Sequence, residues 1–85
     1  MKNIENKIKA LLNLFNATNY ELVITKSKVL IKNFPEYVIL YNILGSAYQN
    51  LGKLDFAENI FNKGIKMDPG NITIMNNLAN VYKNN

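Results

Sequence analysis

Asp55 and Glu58 stand three residues apart in the stretch LDFAENIF, a spacing that brings two carboxylates to one side of a helix. Paired carboxylates can perform general acid and base chemistry, but catalysis also needs a partner group and a recognisable context. The chain supplies neither. It has no histidine and no cysteine, which removes the usual proton carrier at neutral pH, thiol chemistry, disulfides and zinc-finger ligation. There is no glycine-rich phosphate loop and no Ser/His/Asp set. Near a helix start, the favourable interaction of two acids with the helix dipole is sufficient reason for their presence. The residues therefore predict no catalytic, metal or cofactor site, and the expected class is binding rather than catalysis.

Charge narrows the binding partner. Ten lysines, no arginine and six acids give a formal charge of +4, which raises nucleic acid as a partner. Its distribution argues otherwise. Lys26, Lys28 and Lys32 lie on one segment and Lys53, Lys63 and Lys66 on another, mixed with Glu21, Asp55, Glu58 and Asp68, so no dense basic stripe forms. Arginine, the best fork for phosphates and base edges, is missing. A solvated basic surface is expected, with no nucleic-acid partner. The N-terminus MKNIENKIKALL breaks its apolar pattern with lysines, a glutamate and asparagines, unlike a secretion signal, and no apolar run reaches membrane-spanning length. A cytoplasmic protein without a membrane partner is the expectation, in which the Asn-x-Thr triplets at Asn16 and Asn71 would stay unglycosylated.

At 85 residues the chain has material for one small domain over 1–85. Apolar residues recur at three- and four-residue spacing in five segments, roughly Ile4 to Asn16, Tyr20 to Asn33, Val38 to Asn50, Leu54 to Met67 and Ile72 to Lys83, and each reads as a helix. Thr18 and Glu21 have the spacing of a capping box for the second helix, and Gly52 opens the corresponding later turn. Phe34-Pro35 and Asp68-Pro69-Gly70 end the second and fourth helices, since proline cannot continue the bonding pattern.

Pro35 and Pro69 mark out an interval that recurs between Tyr48 and Tyr82, Leu44 and Leu78, Gly45 and Ala79, Asn42 and Asn76, and Val23 and Ala57. A helix-turn-helix unit of this period, about 34 residues, with Tyr41, Leu44-Gly45, Tyr48, Ala57, Phe61 and Pro69 at the spacings W-x2-L-G-x2-Y, A-x3-F and P, resembles the tetratricopeptide repeat family. Tyr41 stands in for the usual tryptophan. The resemblance implies an all-α fold in which antiparallel helix pairs stack as a right-handed α-solenoid, here five helices or two and a half units. Repeat one would cover about 4–37, repeat two 38–71, and the first helix of repeat three 72–85. It also implies that Gly45 and Ala57 mark a close helix approach. The first helix departs from the pattern: Lys7, Ala10 and Leu11 fall where an aromatic, a leucine and a glycine are due, and a one-residue slip aligns Ile8, Leu11, Leu12 and Phe15 instead.

In this family the first helices of successive repeats line a groove for an extended peptide or a partner's helix. Periodicity puts Asn42, Ser46 and Gln49 on one face, with Asn76, Asn80 and Lys83 as their equivalents one repeat later. Side-chain amides both donate and accept, so this polar, nearly uncharged ladder suits a peptide backbone. Only Lys83 supplies a cation there, which argues against the carboxylate clamp found in some family members. The expected function is a non-catalytic protein-interaction scaffold; the alternative is an N-terminal segment of a larger microbial enzyme such as a transferase. Short arrays with poor caps also predict self-association. Ile4, Ile8, Leu11, Leu12 and Phe15 would form one apolar end. Ile74, Leu78 and Val81 would face outward at the other, with Met75 and Tyr82 packed on the preceding repeat. The outcome would be a head-to-tail filament or a two-fold dimer.

Overall fold

The computed structural model describes residues 3–83, so Met1, Lys2, Asn84 and Asn85 at the outer ends of the 1–85 domain lie outside it. The described residues form five helices: α1 (Asn3–Asn16), α2 (Tyr20–Asn33), α3 (Val38–Asn50), α4 (Leu54–Met67) and α5 (Ile72–Lys83). Their bounds follow the apolar periodicity to within one residue. Neighbouring helices pack in order, and α3 also touches α1 and α5, which makes it the middle layer of a helical-repeat stack.

The turns repeat as faithfully as the helices. At the end of α1, the Thr18 N–H bonds the Phe15 carbonyl at 2.9 Å and the Asn19 N–H bonds that of Leu14 at 2.9 Å. Gly52 and Lys53 close α3 in the same way, on the Gln49 and Tyr48 carbonyls at 3.0 and 2.9 Å. This paired closure needs a left-handed residue, and Thr18 (φ 59°) and Gly52 (φ 75°) supply it at equivalent places in successive repeats. The capping-box expectation is therefore corrected. Thr18 is committed to ending α1, its hydroxyl donates to the Ala17 carbonyl at 2.6 Å, and α2 starts behind Asn19 with no side-chain cap. Helix α5 does have one: Asn71 Oδ1 accepts the Ile74 N–H at 2.9 Å, while Asn71 Nδ2 donates to Asp68 at 3.1 Å.

Two apolar clusters share α3. Ile4, Leu11, Val23, Leu30, Leu40, Ile43 and Ala47 form the first; Leu44, Tyr48, Ala57, Phe61, Ile74 and Val81 form the second. Gly45 lies where α3 and α4 meet, since a Cβ there would fall 2.6 Å from Phe61 Cδ1 and as close to two further ring atoms. The Tyr41 hydroxyl donates to the Pro35 carbonyl at 3.1 Å, pinning α3 to the turn before it. Gly64, which the repeat signature did not single out, plays a similar part for α4 and α5: a Cβ there would come within 2.7 Å of Ile74 Cδ1.

In repeat one the counterparts of Gly45 and Phe61 are Leu11 and Ser27, both fully buried. The large residue has moved from the second helix of the pair to the first. This exchange accounts for the irregular first helix without a slip, because Leu12, which a slip would equate with buried Gly45, is 41 % exposed. The shared turn at Thr18 and Gly52 fixes the same offset.

Both apolar ends differ from the expectation. Ile4 and Leu11 belong to the first cluster, Ile8 and Phe15 are half-buried against it, and only Leu12 is exposed. On α5, Ile74 and Val81 are fully buried, Leu78 is half-buried, and Met75 and Tyr82 are 45 % and 52 % exposed. The assignment of Ile74 and Val81 to an outward surface is thus reversed. They stand one full repeat after Leu40 and Ala47, which are likewise fully buried, and they do the same work of covering the preceding hairpin.

Candidate functional site: the inner-helix face

The same three positions recur on each inner helix, one repeat apart: Ile8, Leu12 and Phe15 on α1; Asn42, Ser46 and Gln49 on α3; Asn76, Asn80 and Lys83 on α5. Those on α3 are half-buried, while those on α5 are exposed or nearly so. The face is graded along the stack. It begins apolar at Leu12 and ends in amides, with Lys83 as its single charge among these nine positions.

One contact ties the amide end together. Asn77 Nδ2 on α5 donates to Asn42 Oδ1 on α3 at 2.7 Å, which uses the acceptor of Asn42 and leaves its Nδ2 to donate elsewhere. Asn77, not its neighbour Asn76, makes this bridge, and asparagine type alone could not distinguish the two. Asn50, at the end of α3, donates to the Ser46 carbonyl at 2.8 Å and is turned onto its own helix.

A second concavity of about 760 Å³ lies between α1 and α2, lined by Lys7, Ala10, Leu11, Leu14, Lys26 and Val29 among others. It has a plain origin. Lys7 and Ala10 are the repeat-one counterparts of Tyr41 and Leu44, so hairpin one lacks the two side chains that fill the corresponding space in hairpin two. On the α3–α4 side, Phe56 stacks on Tyr48 with ring centroids 5.2 Å apart, and the Lys28 ammonium sits 5.9 Å from the Tyr48 ring centre, a cation–π distance. Among the described residues no group of three or more His, Cys, Asp or Glu side chains could hold a metal ion. No helix among them is long and apolar enough to cross a membrane.

Compared with known families, residues 38–71 match the model of the tetratricopeptide repeat. This span begins at the first residue of α3 and runs through α4 to the residue before α5. Over this span the chain is similar to a tetratricopeptide repeat. In the repeat's terms, α3 and α4 correspond to its first and second helices, Gly45 and Ala57 to its small residues, both buried here, and Phe61 to the ring that packs against Gly45. A stretch of 44 residues is 36 % identical to the uncharacterized protein ycf37 of Pyropia yezoensis, covering 52 % of this chain and 25 % of that protein. The tetratricopeptide repeat is in general a scaffold for protein–protein contacts, and α1, α2 and α5 extend the same helical stacking to both sides of it.

Proposed function

We propose that the chain holds an extended peptide along the inner faces of α1, α3 and α5. The observation that supports this reading is the graded face itself. Leu12, with Ile8 and Phe15 half-buried beside it, offers an apolar seat at one end. Asn42, Ser46, Gln49, Asn76 and Asn80 offer donors and acceptors to a peptide backbone at the other. A peptide so bound carries an apolar side chain toward α1 and is read mainly through its main chain toward α5. Nothing on the five helices favours the alternative, an N-terminal segment of a larger enzyme such as a transferase, over the scaffold.

The test is selection of peptides from a displayed library on the intact chain, followed by titration calorimetry. Selected peptides are expected to share an apolar residue, and Asn42→Ala combined with Asn80→Ala is expected to weaken them by roughly tenfold. Raising the salt from about 50 to 500 mM is expected to change affinity less than about twofold, since only Lys83 is charged on this face. Steep weakening with salt, or indifference to the double substitution, would assign binding to the lysines instead.

A further inference from the structure

The open side of α5 carries Met75, Leu78, Ala79 and Tyr82, the i, i+3, i+4, i+7 pattern of a packing stripe. Each is the next repeat's counterpart of a residue of α3: Tyr41, Leu44, Gly45 and Tyr48. On α3 all four are buried, with α4 packed over them. On α5 the stripe is uncovered, with Met75 and Tyr82 about half exposed, Ala79 exposed and Leu78 half-buried.

We propose that this stripe docks a second copy of the chain about a two-fold axis, α5 lying antiparallel to α5 of the other copy. The stripe is self-complementary in that arrangement. With the axis between Leu78 and Ala79, each leucine meets the alanine of the other copy and each Met75 meets the other Tyr82. Large packs on small, and thioether packs on ring, as a two-fold contact requires. Ala79 at the crossing lets the two backbones approach, as Gly45 does under Phe61. Lys83 is the only charged residue of α5, and antiparallel pairing sets the two copies of it at opposite ends, more than about 10 Å apart along the helices.

A second copy docked head to tail fits less well. At the positions where α3 stacks with Leu40, Ile43 and Ala47, and α5 with Ile74, Asn77 and Val81, α1 presents Asn6, Lys9 and Asn13, all exposed. That end is polar where another repeat would stack. The apolar recess between α1 and α2 is flanked by Lys7 and Lys26, and the four stripe residues Met75, Leu78, Ala79 and Tyr82 carry no carboxylate to meet them. The α5 stripe therefore fits a second copy of itself better than it fits α1.

Sedimentation equilibrium from about 10 µM to 1 mM suits an interface of one helix face, well under the size of a standard dimer interface. The expected result is a monomer–dimer equilibrium with no larger species. Ala79→Glu, at an exposed site, should raise the dissociation constant at least about tenfold with the circular dichroism unchanged, whereas Val29→Glu in the α1–α2 recess should leave it unchanged. Because the chain has no cysteine, Ala79→Cys should give a disulfide-linked dimer under mild oxidation and Lys83→Cys should not. A monomer throughout, growth beyond the dimer, indifference to Ala79→Glu, or weakening by Val29→Glu would each overturn the proposal.

Discussion

Thr18 occupies a backbone conformation that disfavours a branched side chain. At φ 59° its Cβ crowds the neighbouring carbonyl, a cost of roughly 1–2 kcal/mol that glycine avoids. Thr18→Gly, which copies Gly52, is expected to raise stability by about 1 kcal/mol in chemical denaturation, because the left-handed turn is already made. Gly45 is the opposite case. Gly45→Leu is expected to cost about 1–3 kcal/mol, since the Phe61 ring leaves no room for even one carbon. Asn80→Ala, on an exposed surface, should stay within about 0.5 kcal/mol. Equal losses from the two would refute the division between packing and surface residues. Tyr82 tests a third environment. The Glu58 carboxylate near its hydroxyl favours the protonated phenol and, with some desolvation, disfavours the anion, so its pKa lies above the ordinary value, opposed by Asn62. The folded state therefore keeps this proton at a pH where the unfolded chain has lost it. The small stabilisation is complete below the ordinary tyrosine pKa and disappears as pH climbs through the folded one. Ultraviolet titration of phenolate should show Tyr82 ionising late, and Glu58→Gln should bring it down.

At the scale of helices, much was legible in the sequence. Prolines, a glycine turn and steady apolar spacing placed the bounds of α1 to α5, because each signal acts locally on the backbone. Which side of α5 is covered was not legible from spacing. Ile74, Leu78 and Val81 make one stripe and Met75, Leu78 and Tyr82 another, so hydrophobicity alone does not say which is buried. Only the equivalence of Ile74 with Leu40 and Val81 with Ala47 decides it. The equivalence of Asn42, Ser46 and Gln49 on α3 with Asn76, Asn80 and Lys83 on α5 could be read because the period relates them, whereas the Asn42–Asn77 bridge depends on how two helices lie across one another. Ser27 was also hidden. A serine in an amphipathic helix ordinarily faces water, yet Ser27 is fully buried and its Oγ has no hydrogen-bond partner. Ser27→Ala keeps the small volume and removes the orphaned hydroxyl, so it should stabilise the chain by about 1 kcal/mol. A loss of stability on denaturant titration would show that the hydroxyl is satisfied.

For the whole molecule, α3 is the decisive element, because Leu40, Ile43 and Ala47 serve one apolar cluster while Leu44 and Tyr48 serve the other. Neither hairpin can open without exposing a face of it. Thermal unfolding is therefore expected as one transition, coincident by far-ultraviolet circular dichroism and tyrosine fluorescence; two separated midpoints would show that the hairpins melt independently. The exchanged bulk at Leu11 and Ser27, against Gly45 and Phe61, has a consequence for how such a chain finds its fold. Repeats of like backbone geometry invite a helix to pair with the wrong neighbour during folding, or with the matching helix of another molecule. Here the errors identify themselves. A hairpin of α1 with α4 would bring Leu11 and Phe61 to one place, and a hairpin of α3 with α2 would leave a void between Gly45 and Ser27. One mispairing collides and the other is hollow, so this lock and key within the chain proofreads the partnership of its helices while leaving their backbone geometry the same.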